Sequence, residues 1–442
     1  MSELPKGWVE TDFETVLSSI SNGIADKQNK DNLGIPVSRI ETIAFESINY
    51  SRIGYVDTLD EKKSDKYLLV RGDILFSHIN SPIHLGKTAI FDGLKKLYHG
   101  TNLLRIVTDR DICQSEYFNY FCKYTRATGA FSLNAQHAVN QSSLNQQKIK
   151  SFKIQLAPQA EQTRIVEKLD EVLAQVDTIK ARLDGIPAIL KRFRQSVLAA
   201  AVSGRLTEEW RKTNFREVDL ELILKDVSIS RKNKEFRPPK GLLEIDETPF
   251  EIPTGWLWVR LGAICLKITD GAHNTPHVLD KGFPYLMAKD LTGGTLNFSQ
   301  QQYISEKDHT ELFKKCNPEL GDLLVVNIGA GTGNNVLVDV DFEFSFKNIA
   351  ILKRSNAIIP TYLKFYFDSQ KKRIFDEQTR GGAQPFLSLT ILNNILIALP
   401  SIDEQEEISR LANEYFSFIN TIETQVKKAQ ARVDNLTQSI LA

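Results

Sequence analysis

The 442-residue chain contains an internal duplication, in which the second half repeats the turn and helix signals of the first half. The repeated pairs are Pro5-Lys6-Gly7-Trp8 with Pro253-Thr254-Gly255-Trp256, Asn22-Gly23 with Asp270-Gly271, Gly72-Asp73-Ile74-Leu75 with Gly321-Asp322-Leu323-Leu324, and Glu161-Gln162 with Glu404-Gln405. The first two pairs are 248 positions apart, the third 249 and the last 243. Two similar halves can pair around a pseudo-two-fold axis, which gives one chain the geometry of a dimer.

A heptad pattern of apolar residues closes each half. Apolar residues alternate at spacings of four and three from Ile165 to Val197, and the second half repeats these positions 243 residues later. Such a narrow stripe can be buried only by a facing helix, which predicts a coiled coil; two separate helices packed on globular cores are the alternative. Pro187 lacks a backbone N–H and should kink the first helix. The predicted helix seam consists of Ile165, Leu169, Val172, Val176, Ile179 and Leu183 with Ile408, Ala412, Tyr415, Ile419, Ile422 and Val426.

Short β-rich runs separated by Gly, Asp and Asn turns precede each heptad region. The predicted fold class is α+β: two similar mixed α/β domains linked by a long antiparallel two-helix coiled coil, as a pseudo-two-fold internal repeat. The predicted segments are a first globular domain at 1–157, a central heptad helix at 158–201, a linker at 202–250, a second globular domain at 251–399 and a C-terminal heptad helix at 400–442. The basic, Pro-containing linker is predicted to be exposed and solvated, and contact with phosphate is the alternative.

Composition excludes several function classes. The formal net charge is zero, so no global field attracts nucleic acid, and binding would depend on local basic patches. The four scattered cysteines indicate reduced thiols rather than a disulfide frame or a zinc site. The polar, turn-rich opening and the absence of a long apolar run predict a cytoplasmic protein without membrane contact.

In this order, and twice over, the motifs resemble the specificity subunits of type I restriction–modification systems. The Pro-x-Gly-Trp turns, the Gly-Asp-(Ile/Leu)-Leu motifs and the Glu-Gln openings of the heptad helices carry the resemblance across nearly the whole chain. The second half adds Asp-Gly-Ala-His-Asn-Thr-Pro at 270–276 and Gly-Gly-Ala-Gln-Pro-Phe-Leu-Ser at 381–388. The first half departs from this pattern, because Asn22-Gly23 lacks the histidine form and 134–140 matches 381–388 loosely.

The resemblance implies a non-catalytic subunit that binds double-stranded DNA. Each globular domain would be a target recognition domain that reads one half of an asymmetric bipartite site. The helices would set the spacer and dock two methylation (M) subunits, and two restriction (R) motor-nuclease subunits would join for cleavage. The resemblance implies no cofactor in this chain; S-adenosylmethionine, ATP and Mg would serve the partner subunits.

Two other function classes stay open. The stretch 323–333 resembles a strand that runs into Gly-x-Gly-x-Gly, so a stand-alone adenine DNA methyltransferase is one alternative. A turn and a strand follow this stretch where a cofactor loop needs a helix, which favours a tight hairpin. A protein-binding scaffold with duplicated domains is the other alternative. His273 and His277 have the spacing of a helical metal pair, but Pro276 disfavours a helix there, and we predict no metal or catalytic site.

Polar and basic side chains on loops are the groups that read base edges and hold phosphates. For each such residue, a solvated surface position is the alternative. The candidate DNA-binding residues are Lys27, Lys30, Arg39, His78, Asn80, His84, Lys87, Gln136 and Asn140 in the first half, and His273, Asn274, Lys289, Asn327, Thr332, Asn334, Asn335, Arg380 and Gln384 in the second.

Overall fold

The computed structural model describes residues 4–29, 33–59, 65–138, 141–272, 276–291, 293–329, 331–378 and 386–441. The chain divides into two compact units: Met1–Gly185 with Val426–Ala442, and Ile186–Gln425. Each unit contains one globular domain and segments of two long helices, Gln159–Val202 and Ile402–Leu441. Among the described residues, no helix is long and apolar enough to cross a membrane.

The first globular domain is built around a four-stranded antiparallel sheet with strand order β2-β8-β5-β7. Its described strands, β1 to β11, are Val9–Asp12, Leu17–Asn22, Ile35–Val37, Gly54–Val56, Ile74–Phe76, Ile79–Asn80, Thr88–Ile90, Leu104–Thr108, Gln136–Ala138, Gln141–Ser143 and Lys153–Leu156. Its helices are Phe13–Val16, Ser115–Ala127, Ala130–Leu133 and Gln146–Lys150, with a 3₁₀ turn at Ile40–Ile43. The helix Ser115–Ala127 packs Phe118 into the same core as Ile74 and Ile106 of the sheet.

The second globular domain has a central antiparallel sheet with strand order β13-β19-β16-β17. Its described strands, β12 to β20, are Leu257–Arg260, Lys267–Asp270, Phe283–Leu286, Gln302–Ile304, Leu323–Val326, Asn335–Leu337, Ser345–Phe346, Ile349–Lys353 and Leu396–Leu399. Its helices are Glu208–Asn214, Leu220–Asn233, Leu261–Ile264, Glu306–Cys316, Pro360–Gln378 and Leu389–Asn394, with a 3₁₀ turn at Ala288–Asp290.

The two domains share one topology. The central sheets match strand for strand in chain order, so that β2, β8, β5 and β7 correspond to β13, β19, β16 and β17. Each domain also pairs its first strand with its last, with Val9 opposite Leu156 and Leu257 opposite Leu399. The predicted duplication and the α+β fold class are therefore confirmed.

The aspartates of the Gly-Asp-(Ile/Leu)-Leu motifs are buried parts of the scaffold. Asp322 accepts a hydrogen bond from the Lys353 ammonium at 2.6 Å, and the side chain of Lys353 is 1% exposed. In the first domain Asp73 forms the corresponding pair with Arg105 at 2.7 Å. Burial raises the pKa of both aspartates, and the neighbouring cation opposes that shift. Each motif thus joins two neighbouring strands of its sheet through a buried ion pair.

The Glu-Gln motif anchors each long helix to its own domain. The indole N–H of Trp8 donates to Glu161 at 3.0 Å, and that of Trp256 donates to Glu404 at 2.9 Å. The glutamines that follow are fully buried, and each accepts the backbone N–H of the residue just before the main helix of its domain, at 2.9 and 2.8 Å. The Pro-x-Gly-Trp turn and the helix therefore meet at one carboxylate.

The long helices pack antiparallel within each unit. In the first unit, Lys180 lies 2.8 Å from Asp434, and Gln430 donates to Asp184 at 2.8 Å. Residue numbers thus fall along one helix as they rise along the other. In the second unit, the ends of the same helices bring together Val197, Leu198 and Ala412. The first helix continues without interruption through Pro187.

The predicted seam needs four corrections. Ile408 is buried in the core of the second domain, and Ile165 packs against the core of the first, because the Glu-Gln anchor places the first turns of each helix inside its own domain. Ile179 is 46% exposed and Tyr415 is 41% exposed, although the ring of Tyr415 packs edge-on against Phe193. The other predicted positions are buried or half-buried: Leu169, Val172, Val176, Leu183, Ala412, Ile419, Ile422 and Val426.

The segment 202–250, predicted to be an exposed linker, is largely folded in its first part. Val218 and Val227 are buried in the core of the second domain. Arg231 donates to the backbone carbonyls of Gly262 and Cys265, at 2.6 Å in both cases. Its positive charge therefore satisfies the end of a short helix, whereas basic composition alone predicted solvated chain. The stretch 232–248 is mostly exposed, as predicted.

We expect Asp322→Ala to lower the free energy of unfolding of the second domain by about 3 kcal/mol, because it leaves a buried ammonium without its shortest contact. Urea unfolding followed by the fluorescence of Trp256 and Trp258 measures this loss. The exposed Asp339→Ala is the matched control and should change stability by less than about 0.5 kcal/mol. Equal effects of the two substitutions would contradict the structural role of the buried pair.

Candidate nucleic-acid interface

A hairpin connection in the central sheet carries many of the predicted DNA-contacting residues in both domains. In the first domain the connection 77–87 joins β5 to β7, and in the second domain the connection 327–334 joins β16 to β17. These two connections are equivalent, because the strands that flank them correspond. They contain His78, Asn80, His84 and Lys87 in the first domain, and Asn327, Thr332 and Asn334 in the second.

His78 and Asn327 occupy the same position, directly after the strand that follows the Gly-Asp motif. Both side chains are buried, and the Nδ1 atom of His78 and the Oδ1 atom of Asn327 have no hydrogen-bond partner among the described residues. The two backbone carbonyls accept equivalent hydrogen bonds, from Leu144 and Leu387, each at 2.9 Å. Buried polar atoms are normally paired. Unpaired atoms at one position in both domains indicate groups whose partner is a ligand.

A basic residue of the main helix contacts each hairpin connection. Arg126 donates to the backbone carbonyl of Ile83 at 3.4 Å, and Lys371 donates to the side-chain oxygen of Asn334. The helices begin at Ser115 and Pro360, so Arg126 and Lys371 stand at the same helical position. The sequence-based search covered loops and missed both residues. Their matching position in the two copies is the signal that could have found them.

The first domain carries a local basic patch at this place. Arg126 forms an ion pair with Glu46, and Lys123 lies 3.7 Å from the same carboxylate. Burial and the nearby Arg126 lower the pKa of Lys87. Burial, Lys87 and Arg126 together lower the pKa of His84. Several cations thus surround one carboxylate, which supplies the local positive potential that a chain of zero net charge needs for phosphate.

The other candidates of the first domain are spread over its surface. Lys27 and Gln136 are exposed, and Asn80 is half-buried in a hydrogen bond to Ser77 at 3.1 Å. Arg39 precedes the 3₁₀ turn and lies 3.5 Å from Glu41. Their contact with DNA stays a prediction. Six candidates lie outside the described residues: Lys30, Asn140, His273, Asn274, Arg380 and Gln384.

In the second domain, several candidates make hydrogen bonds within the protein. The Thr332 hydroxyl donates to the carbonyl of Gly329 at 2.6 Å. Asn335 is buried and donates to Asp368 of the main helix at 2.8 Å, while its Oδ1 atom has no partner among the described residues. Lys289 is exposed on the 3₁₀ turn. Thr332 and Asn335 therefore hold the hairpin in shape.

The structure changes the register between the loose match at 134–140 and the segment 381–388. In both domains a strand segment bridges the start of the hairpin connection and leads into a helix. Asn145 and Ser388 cap these helices, accepting a backbone N–H at 2.8 and 3.1 Å, and they are 243 positions apart. The counterpart of Gln384 is therefore Gln141, which the sequence comparison missed.

The glycine-rich stretch after β16 is a hairpin, as predicted. Strands β16 and β17 pair antiparallel, and Gly329 and Gly333 have φ angles of +102° and +83°, which glycine tolerates best. A strand, rather than a helix, follows the stretch, so it lacks the helix N-terminus of a cofactor loop. The described residues contain no group of three or more His, Cys, Asp or Glu side chains that could hold a metal ion.

Two similar domains, each with polar and basic groups around an equivalent hairpin and each anchored to a long helix, define the class of two-domain DNA specificity subunits. The family model of the type I restriction modification DNA specificity domain matches residues 5–188 and 253–430. The chain belongs to this family and contains its domain twice.

Individual relatives agree with this assignment. The chain is 29% identical over 448 residues to the type I restriction enzyme EcoBI specificity subunit of Escherichia coli, covering 98% of this chain and 85% of the relative. It is 30% identical over 336 residues to the StySPI specificity subunit of Salmonella potsdam, covering 73% and 64%. The HsdS subunit from Thermoanaerobacter tengcongensis has a similar fold, with a TM-score of 0.59 at 17% identity over 100% of this chain and 97% of that chain.

These comparisons confirm the predicted family, fold and function. The chain is a DNA sequence-specificity subunit of a type I restriction–modification system, and it acts together with other subunits and DNA. The stand-alone methyltransferase and the scaffold are not favoured.

We expect His78→Asn to weaken the acid sensitivity of the first unit. Burial lowers the pKa of His78 to about 4, from its ordinary value of 6.5. The unfolded state therefore binds more protons between these pH values, and the contribution of the neutral ring to stability is lost as pH falls through this window. Asparagine, the residue at the corresponding second-domain position, does not titrate. The decrease in melting temperature between about pH 7 and about pH 5 should shrink.

The exposed His137→Asn is the control for this measurement and should leave the decrease unchanged. If His78→Asn melted with the same pH dependence as the unmodified chain, His78 would not be held neutral by burial.

Proposed function

We propose that each domain of this chain reads one half of an asymmetric bipartite DNA site within a type I restriction–modification complex. The observation that carries the proposal is the equivalent placement of His78 and Asn327, buried polar side chains with unpaired atoms beside a basic helix residue. Because histidine and asparagine differ in chemistry, the two domains would prefer different bases.

The two side chains suit base recognition. An asparagine amide both donates and accepts, which matches the N6 and N7 atoms of adenine in the major groove. Neutral histidine has one donor and one acceptor nitrogen. Arg126 and Lys371 would hold phosphates beside the recognised bases, which positions a domain without reading sequence.

The helices would set the spacer and dock two M subunits. Several large apolar side chains are exposed on the long helices and would be covered by partner helices. They are Ile179, Ile189, Phe193, Tyr415, Phe418 and Leu436. Two R subunits would join for cleavage. In this proposal the chain itself is non-catalytic and cytoplasmic, and S-adenosylmethionine, ATP and Mg serve the partner subunits.

Asn327→Ala should relax base preference in one half of the recognised site and leave the other half unchanged. His78→Ala should do the same to the opposite half. Loss of a good base contact costs about 1–3 kcal/mol of discrimination, or roughly 5- to 150-fold. Mapping of methylated adenines across the genome, in cells that carry the complete system, measures both half-sequences at once.

Lys371→Ala is the matched control for this mapping. It should weaken binding without changing the consensus, because a phosphate contact carries no sequence information. Equal relaxation of both halves by either loop substitution would contradict the assignment of one half-site to each domain.

Insertion of one heptad at matched positions of both long helices should lengthen the spacer and preserve both half-sequences. Seven residues add roughly 10 Å of helix, or about three base pairs of B-DNA. They also preserve the apolar stripe, so the helices can still pair. The same methylation mapping gives the spacer. An insertion of seven polar residues that break the stripe should abolish methylation, and altered half-sequences after the heptad insertion would contradict the spacer role.

A further inference from the structure

The pair of tryptophan and glutamate that anchors each long helix occurs twice, but only the copy in the second domain is covered by a described segment of its unit. The side chain of Glu404 is 3% exposed, whereas that of Glu161 is 31% exposed. Trp256 is buried, and Trp8 is half-buried. The duplication thus supplies an internal comparison between a filled site and an open one.

Residues 203–216 cover the pair in the second domain. Arg211 lies 2.8 Å from the Oε1 atom of Glu404, and the Thr207 hydroxyl donates to the same oxygen at 2.7 Å. The guanidinium carbon of Arg211 also lies 5.6 Å from the centre of the Trp256 ring, a cation–π distance. One carboxylate oxygen thus receives the indole N–H, and the other receives two donors from the covering segment.

The same segment covers the turn beside the pair. Phe215 packs against Gly255 so closely that a Cβ atom at that glycine would lie 2.8 Å from the Phe215 ring. The backbone N–H of Val218 donates to the carbonyl of Gly255 at 3.2 Å. Thr207, Arg211 and Phe215 are spaced four residues apart, so the contacts repeat at about one helical turn.

The first domain presents the same groups without this cover. The Oε1 atom of Glu161 lies 3.3 Å from Arg164, whose side chain is 78% exposed, and from no other cation among the described residues. Such an exposed pair contributes little, because water screens it. Pro5 and Gly7 of the turn are exposed, and Val9 beside them is 55% exposed. A carboxylate, an aromatic edge and apolar surface therefore lie together, open to solvent.

We propose that Trp8, Glu161 and the turn at 5–8 form a docking site for a segment of a partner protein. The segment has the chemistry of residues 203–216: a hydroxyl residue, an arginine four positions later and an aromatic residue four positions after that. The arginine would pair with Glu161 and lie over Trp8, and the aromatic residue would cover Gly7. This inference goes beyond the proposed function, which assigns this surface no role.

A different protein fits this site better than a second copy of the chain. The covering segment of this chain is already engaged in its own second domain, where Thr207 is 1% exposed and the Arg211 side chain is 14% exposed. A second copy would have to release these buried contacts before it could donate the segment.

The test uses the full chain and a fluorescent peptide with the sequence of residues 203–218. The second-domain site is held by the chain's own segment at high effective concentration, so the peptide reports on the first site. We expect saturable binding by fluorescence anisotropy. Glu161→Gln in the chain, or Arg211→Ala in the peptide, should weaken it by about tenfold, because each removes the charge-assisted hydrogen bonds. Arg164→Ala should strengthen it by removing a competing cation.

The variants separate docking from folding. Glu161→Gln retains a carbonyl that can accept the Trp8 N–H, and the exposed Glu167→Gln on the same helix should bind the peptide unchanged. Absence of saturable binding, or equal binding to Glu161→Gln, would overturn the proposal. Self-association of the chain that disappears in Glu161→Gln would identify a second copy as the occupant and would also overturn it. The assay contains no DNA, so its outcome is independent of half-site recognition.

Discussion

The contact of one glutamate with one tryptophan, made once in each half, is the interaction on which the structure depends. Glu161 and Glu404 stand in the first turns of the long helices and accept the indole N–H groups of Trp8 and Trp256. The neighbouring glutamines join the same turns to the residue before the main helix. Because these polar groups are buried or half-buried, their hydrogen bonds are costly to leave unmade. Within each unit, the direction of the long helix relative to its domain follows from this network.

Much of this architecture could be predicted from the sequence, because duplication and heptad spacing are properties of residue order. The antiparallel helix pairing and the α+β domains follow from them. The exposure of Ile179 and Tyr415 does not, since a repeat shows which face is apolar but not what covers it. The prediction for 202–250 had the same weakness. Its arginines looked solvated, yet Arg231 is needed at the end of a helix that lies far from it in sequence.

The candidate interface was predictable in its loops and not on its helix. His78 and Asn327 are polar residues after a strand, and residue type and position were enough to name them. Arg126 and Lys371 stand on the main helix, where a basic residue is ordinarily a solvated surface residue. Their role depends on contact with a hairpin about 40 positions away in the chain, which spacing alone does not reveal. Burial likewise separates Asn335, tied to Asp368, from the residues that could reach a base.

The two copies also distinguish scaffold from readout by what each has kept. Tyr117 and Tyr362 donate equivalent hydrogen bonds to the last strand, both at 2.6 Å, and the aspartates of the Gly-Asp motifs hold cations at equivalent places. The side chains at the start of the hairpin have diverged to histidine and asparagine while their backbone contacts are the same. Identical supports beneath unlike side chains are what a protein needs to read two different sequences with one fold, because the support sets position and the side chain sets preference.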